Sequence, residues 1–278
     1  MKTAHDADRL RLFDVSELGE SVYHHQNTGT AEIAVIVPLY NYAQYVEDCL
    51  YSVVKQDLET LSIVVIDDCS TDHGGDLAIR VLESNRQRFV SARVVRHRRN
   101  QGLAMTRNSG IAWSQEPLLF MLDADNRIRP PALSRLAEAL RVADREFAYS
   151  QVCRFGDFIG FGDADIWDPG RFRHGNYIDG MALIRRTALL AVKGYRLSAV
   201  EDGWEDFDLW CQFAELGFSG VYLPEPLCEY RVHSSSMVHT QTNHKRRSLS
   251  LEMVLRHPTL FADGEIPPFV DRFPPDSR

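Results

Sequence analysis

Nothing in the sequence resembles a zinc knuckle, a redox CxxC or a disulfide framework. Its five cysteines, Cys49, Cys69, Cys153, Cys211 and Cys228, are widely spaced and odd in number, so they read as separate thiols buried in a reducing compartment. No apolar run approaches the ~20 residues that span a bilayer. Residues 1–20 are charged throughout and lack the apolar centre of a secretion signal. These absences lead to the expectation of a cytoplasmic chain, peripheral at most to the inner face of a membrane. A basic excess is missing too: the net charge is −8, which argues against a general nucleic-acid binder. What remains is a chain of 278 residues, 44% hydrophobic, enough for one large core or two small ones.

That apolar content alternates. Residues 33–37 are a short β-branched run, the pattern of a buried parallel strand, and Pro38 ends it. Val46, Leu50, Val53 and Val54 then recur at helical spacing. A second buried run at 61–66 is halted by Asp67-Asp68, and Ser70 or Asp72 is placed to cap a helix reaching about residue 83. Strands at 92–95, 118–122 and 147–151 alternate with helices at 103–113 and 130–142. The pattern predicts an α/β fold, a Rossmann-like and mostly parallel sheet flanked by helices. Residues 153–177 break the period and read as an irregular insert or a hairpin. A strand at 181–184, helices at 187–192 and 206–216, two short strands near Val221 and Glu229, and a helix at 239–255 follow. Pro267, Pro268, Pro274 and Pro275 mark an extended tail. The simplest division is an extension over 1–30, one domain over 31–238 and a C-terminal helix and tail over 239–278.

In open α/β sheets ligands sit beyond the carboxyl ends of the strands, which selects residues 38–41, 67–72 and 123–126. Asp123-Ala124-Asp125 places two carboxylates one residue apart where a strand ends, an arrangement that can share a Mg²⁺ or Mn²⁺ ion with substrate phosphates. The tripeptide occurs three times, at 6–8, 123–125 and 163–165, and only the middle copy leaves a buried strand. An acidic chain that holds a diphosphate needs such a metal, or arginine. In the stretch from Asp67 to Asp72 the carboxylates either cap the next helix or accept a hydrogen bond from the ring N–H of a base. Gly102 opens a helix whose N-terminus suits an anion, with Arg107 one turn on. Arg93, Arg96, His97, Arg98 and Arg99 read as a solvated basic face. Glu205-Asp206 begins a helix, where acidic residues complement the dipole or, facing a pocket, deprotonate an acceptor. His233 follows the last predicted strand.

Taken in order, these pieces resemble the family 2 glycosyltransferases, with the GT-A fold, from about residue 33 to residue 237. The resemblance rests on Ile36-Val37-Pro38-Leu39-Tyr40-Asn41, the stretch from Asp67 to Asp72 and the stretch from Asn100 to Gly110. Asp123-Ala124-Asp125, Gly175-Asn176, Asp179-Gly180, Glu205-Asp206 and Tyr230-Arg231-Val232-His233 complete it. It implies a nucleotide-binding half over 31–126 and an acceptor half over 127–238. It also implies inverting transfer from a nucleotide-diphosphate sugar, UDP-linked by preference, to an acceptor hydroxyl of a carbohydrate or lipid-linked molecule, with Mn²⁺ or Mg²⁺ as cofactor. By the same resemblance Asp68 reads the base, Pro38, Tyr40 and Asn41 line the nucleotide pocket, and Arg107 lies near base and diphosphate. Asp123, Ala124 and Asp125 hold donor and metal, His233 completes the metal site, Asp206 is the catalytic base and Glu205 assists with the acceptor. Two rivals share the architecture: a non-catalytic nucleotide-sugar binding module, and a sugar nucleotidyltransferase. The second normally carries a Gly-rich basic loop after the first strand, where this chain has Pro38-Leu39-Tyr40-Asn41.

Overall fold

The structure, a computed structural model, describes residues 18–198, 203–237, 240 and 243–261. Its centre is a sheet with strand order β1-β4-β3-β2-β5-β9-β7-β10-β6, with a short β8 paired to β7. The strands β2 (Ile33–Leu39) and β3 (Leu61–Asp67) are buried along their whole length, because helices cover both faces. They pair in parallel with each other, with β4 (Ser91–His97) and with β5 (Leu118–Met121). Their carboxyl ends therefore open at one edge of the molecule.

Alternation along β2 divides the core. Ile33, Val35, Val37 and Leu39 face α1 (Val46–Val54), α2 (Gly74–Ser84) and α4 (Ala132–Ala143). Ala34 and Ile36 face the other layer, with α3 (Leu103–Trp113), α5 (Arg186–Ala191), α6 (Glu205–Glu215) and α7 (Asn243–Arg256). At Gly110 a Cβ would stand 2.2 Å from Ile36 Cγ2, so α3 rides against β2 at a distance only glycine permits. That close approach brings Arg107, on the same helix, over the strand ends.

Three regions differ from the pattern in the sequence. β1 (Gly19–Gln26) lies within the expected N-terminal extension and pairs antiparallel with β4; its half-exposed edge position leaves no apolar run to read. The breakdown after residue 151 is a hairpin: β7 (Phe147–Gly156) runs on and turns back through β8 (Gly160–Phe161). The two short strands near Val221 and Glu229 are one strand, β10 (Gly220–Val232), parallel to β7, whose register shifts around Pro226. Pro224 and Pro226 remove ladder donors, and the irregularity absorbs them. Two further strands lie between: β6 (Arg127–Ile128) borders β10, and β9 (Ala182–Arg185) joins β5 to β7. Residues 6–8, the expected tail and part of the predicted helix over 239–255 lie outside the described residues.

Candidate active site

The exits of β2 and β3 are laced together. Asn41 takes a left-handed backbone, φ 55°, and its Oδ1 accepts from Thr71 N at 2.8 Å and Thr71 Oγ1 at 3.1 Å. Asp72 accepts from Ala43 N and Gly74 N, both at 2.9 Å. Asp67 turns to Arg96 and to Ser70 N. Asn41, expected to touch the nucleotide, thus spends its side-chain carbonyl on the neighbouring loop. Pro38 is buried within β2, while Tyr40 is 45% exposed beyond it.

Asp68 does something else. Its Oδ1 accepts from His97 Nδ1 at 2.6 Å and from Gln101 N at 2.9 Å, and its Oδ2 accepts from Gly102 N at 2.9 Å. Gly102 has φ +84° and ψ 164° at the start of α3, a backbone that only glycine adopts without strain. One buried carboxylate therefore organises the loop that leads into α3. His97, which the sequence places in a solvated basic run, is buried at the end of β4. Arg96 of that run is tied to Asp67 and Arg93 lies over the Trp113 ring.

Arg107 crosses the site. Its Nη2 reaches Asp123 Oδ1 and its Nη1 reaches Glu205 Oε1, both at 2.7 Å, and its guanidinium lies over the Tyr195 ring. Burial opposes its charge, but Asp123 and Glu205 beside it outweigh burial and raise its pKa well above the usual value. Glu205 Oε2 is buried with no partner. Its carboxyl is pushed up to about 7 by burial first, against the pull of Arg107 and with the push of Asp206. Asp206 is partly exposed, and Asn176 Nδ2 donates to its Oδ2 at 3.0 Å and Phe207 N to its Oδ1 at 2.8 Å. A Cβ on Gly180 would stand 3.4 Å from Arg107 Nη2 and 3.7 Å from Asp206 Cβ, so Gly180 borders the same space. These positions, scattered from residue 107 to residue 206 in sequence, meet within one cluster.

Asp125 lies beside it. Its Oδ2 is 3.0 Å from His233 Nε2, and His233 Nδ1 is 2.9 Å from Ser235 Oγ. Burial raises the Asp125 pKa, opposed by the His233 hydrogen bond and assisted by Asp123. Arg231, to which the sequence assigned no role, fixes this turn: its Nε donates to Asp125 O and its backbone N to Asn126 Oδ1, both at 2.8 Å. Its guanidinium stacks on the rings of Tyr45 and Phe155 and pairs with Asp48. Ala124, between the two carboxylates, is packed in the core and offers the site only its backbone.

A divalent ion fits this donor chemistry. Asp125 and His233 present an oxygen and an imidazole nitrogen side by side, a set that suits Mn²⁺ and related ions, and Ser235 orients the imidazole from behind as outer-shell partners do. Asp123 keeps 28% of its side chain exposed next to them. Among the described residues no three His, Cys, Asp or Glu side chains gather as a complete cage, so an ion here also needs oxygens from a ligand.

Residues 34–192, more than half of the chain, match the family model for glycosyl transferase family 2. The chain belongs to that family. EpsJ, an uncharacterized glycosyltransferase of Bacillus subtilis, is 30% identical over 106 residues, which are 38% of this chain and only 29% of EpsJ. This family 2 chain also shares its fold with two solved structures. S. aureus TarS 1-349 in complex with UDP-GlcNAc matches with a TM-score of 0.58 at 19% identity, over 84% of this chain and 74% of that one. A mannosyltransferase from Pyrobaculum calidifontis, in complex with GDP-Man and Mn²⁺, matches with a TM-score of 0.63 at 17% identity, over 95% and 72%. The central sheet of this glycosyltransferase is thus of the GT-A type, and the family match sets a sugar nucleotidyltransferase aside.

Proposed function

We propose that the protein transfers a sugar from a nucleotide-diphosphate donor, UDP-linked by preference, to an acceptor hydroxyl with inversion at the anomeric carbon. The acceptor is a carbohydrate or a lipid-linked molecule, as in polysaccharide or glycolipid synthesis. The observation that carries this reading is the Asp123–Arg107–Glu205 chain of ion pairs. It joins a carboxylate of the strand-end pair to the first residue of α6, whose second residue, Asp206, is partly exposed. Similarity to proteins solved with UDP-GlcNAc and with GDP-Man and Mn²⁺ supports the donor class and the cofactor.

In this reading Asp206 accepts the acceptor's proton as the acceptor oxygen bonds to the anomeric carbon and the bond to the diphosphate breaks. Asn176 holds one Asp206 oxygen in place, leaving lone pairs to receive that proton. Arg107 acts on protein carboxylates, orienting Asp123 toward the donor sugar and anchoring Glu205. Asp125 and His233 would hold the metal, which when bound would supply positive charge to the departing diphosphate. The partly exposed rings of Tyr42 and Tyr45 pack against the buried His233 and screen that point from water.

The test is release of nucleoside diphosphate from a panel of UDP- and GDP-sugars with Mn²⁺. Asp206→Asn is expected to lower turnover by at least about 10²-fold, the low end of what a positioned base contributes, while UDP binding stays within about threefold, under 1 kcal/mol. Equal loss of binding and turnover contradicts the assignment of Asp206, and a wild-type protein that binds nucleotide without turnover favours a binding module.

A further inference from the structure

We infer that His97 is a positioning residue for the donor nucleotide, acting through Asp68 and the loop at 100–102; this rests on the function proposed above. Asp68 and His97 are buried at 2% exposure each and Ser109 at 0%, and they form one hydrogen-bonded line. His97 Nδ1 stands 2.6 Å from Asp68 Oδ1, and His97 Nε2 stands 2.9 Å from Ser109 Oγ. An ionised carboxylate only accepts, so Nδ1 carries the hydrogen. The order Asp–His–Ser is that of a hydrolase triad, but Ser109 is sealed inside α3 and has no route to a substrate.

The line has a different use. A carboxylate offers about four acceptor sites. His97, Gln101 N and Gly102 N fill three of them, which leaves one on Oδ2. The direction of that last site is set by the other three bonds. His97 is the one side-chain donor among them, and Ser109 steadies its ring from the helix that also carries Arg107. His97 therefore fixes where Asp68 and the loop at 100–102 present themselves to a base, and does not touch the reacting atoms. The consequence is a split: loss of the His97 donor weakens nucleotide binding and leaves the bond-breaking step alone.

Three variants test this. Asparagine places an amide nitrogen where the imidazole Nδ1 stands, so His97→Asn keeps the donor to Asp68. His97→Leu removes it, and Ser109→Ala removes only the far support. Calorimetry with UDP in Mn²⁺ is expected to show about a tenfold weaker Kd for His97→Leu, equivalent to about 1.4 kcal/mol. His97→Asn and Ser109→Ala are expected within about threefold of wild type, under 1 kcal/mol. In nucleotide-sugar cleavage His97→Leu raises KM with kcat nearly unchanged. Wild-type binding with an unchanged His97→Leu Kd overturns the inference alone, as does a His97→Asn variant as weak as His97→Leu, or a fall in kcat with KM unmoved. A wild type that binds neither UDP nor GDP overturns the proposed function and this inference with it.

Discussion

Glu205 is a carboxyl held out of water. Its carboxyl is buried, has one unpartnered oxygen and lies beside Asp206, so burial first and that neighbour second push its pKa from 4.5 up to about 7. The sign follows from proton binding. Between about pH 4.5 and pH 7 the folded chain keeps a proton on Glu205 that the unfolded chain has released, so stability falls as pH rises through that range. Glu205→Gln keeps the hydrogen bond to Arg107 and cannot ionise. Its melting temperature is therefore expected to drop less than the wild type's between about pH 5 and pH 7.5; parallel curves contradict the assignment. Legibility at this scale was uneven. Asp123, Asp125, Arg107, Glu205 and Asp206 were all visible in motifs, but that Arg107 spends its guanidinium on two carboxylates was not, because ion pairing across 98 residues leaves no local pattern. His97 was misread for a related reason: it stands in a run of basic residues, and only the end of β4 turns it inward.

Among the elements α6 carries the most, since Glu205 and Asp206 are its first two residues. Its underside is held by the segment after α7. His257, fully buried, has Nε2 at 3.1 Å from Asp208 Oδ1 and Nδ1 at 2.9 Å from Glu215 Oε2. Arg256 adds a bond to Asp208 at 3.2 Å. Burial alone raises the Asp208 pKa, but the His257 hydrogen bond and the charges of His257, Arg256 and Arg196 outweigh it and hold the carboxyl below its ordinary range. That contribution to stability is present above the ordinary pKa of 3.8 and is lost as pH falls through the lower folded value. His257→Leu takes one hydrogen bond from each of two carboxylates that keep other partners and is expected to cost about 2 kcal/mol in denaturant unfolding, and adding Asp208→Asn is expected to recover part of the loss. Purely additive losses contradict the brace. The helices α3 and α6 were legible almost to the residue, α3 from Gly102 at its start and α6 from its acidic first turn at Glu205-Asp206. The span of β10 was not, because prolines normally end a strand and this one continues past them.

At the scale of the whole molecule, the parallel strands bring the exits of β2, β3 and β5 to one edge, and β10 returns there to deliver His233 beside Asp125. The family match stops at residue 192, so the second half of the site, with Glu205, Asp206 and His233, comes from the part beyond it. Alternating apolar runs made the sheet and its binding edge legible. The antiparallel β1 was hidden, since a strand at the sheet margin needs few apolar residues. No helix among the described residues is long and apolar enough to cross a membrane.

In the proposed function this edge holds a nucleotide diphosphate through a metal bound at Asp125. The most direct test of this is the melting temperature with UDP or GDP, with and without Mn²⁺, for the wild type and for Asp125→Ala. A ligand at 100 times its Kd stabilises the folded state by about 2.7 kcal/mol. The wild type is expected to show a nucleotide-induced rise that depends on Mn²⁺, and Asp125→Ala is expected to lose it while folding normally. An equal rise with and without Mn²⁺, or a rise that survives in Asp125→Ala, contradicts the account.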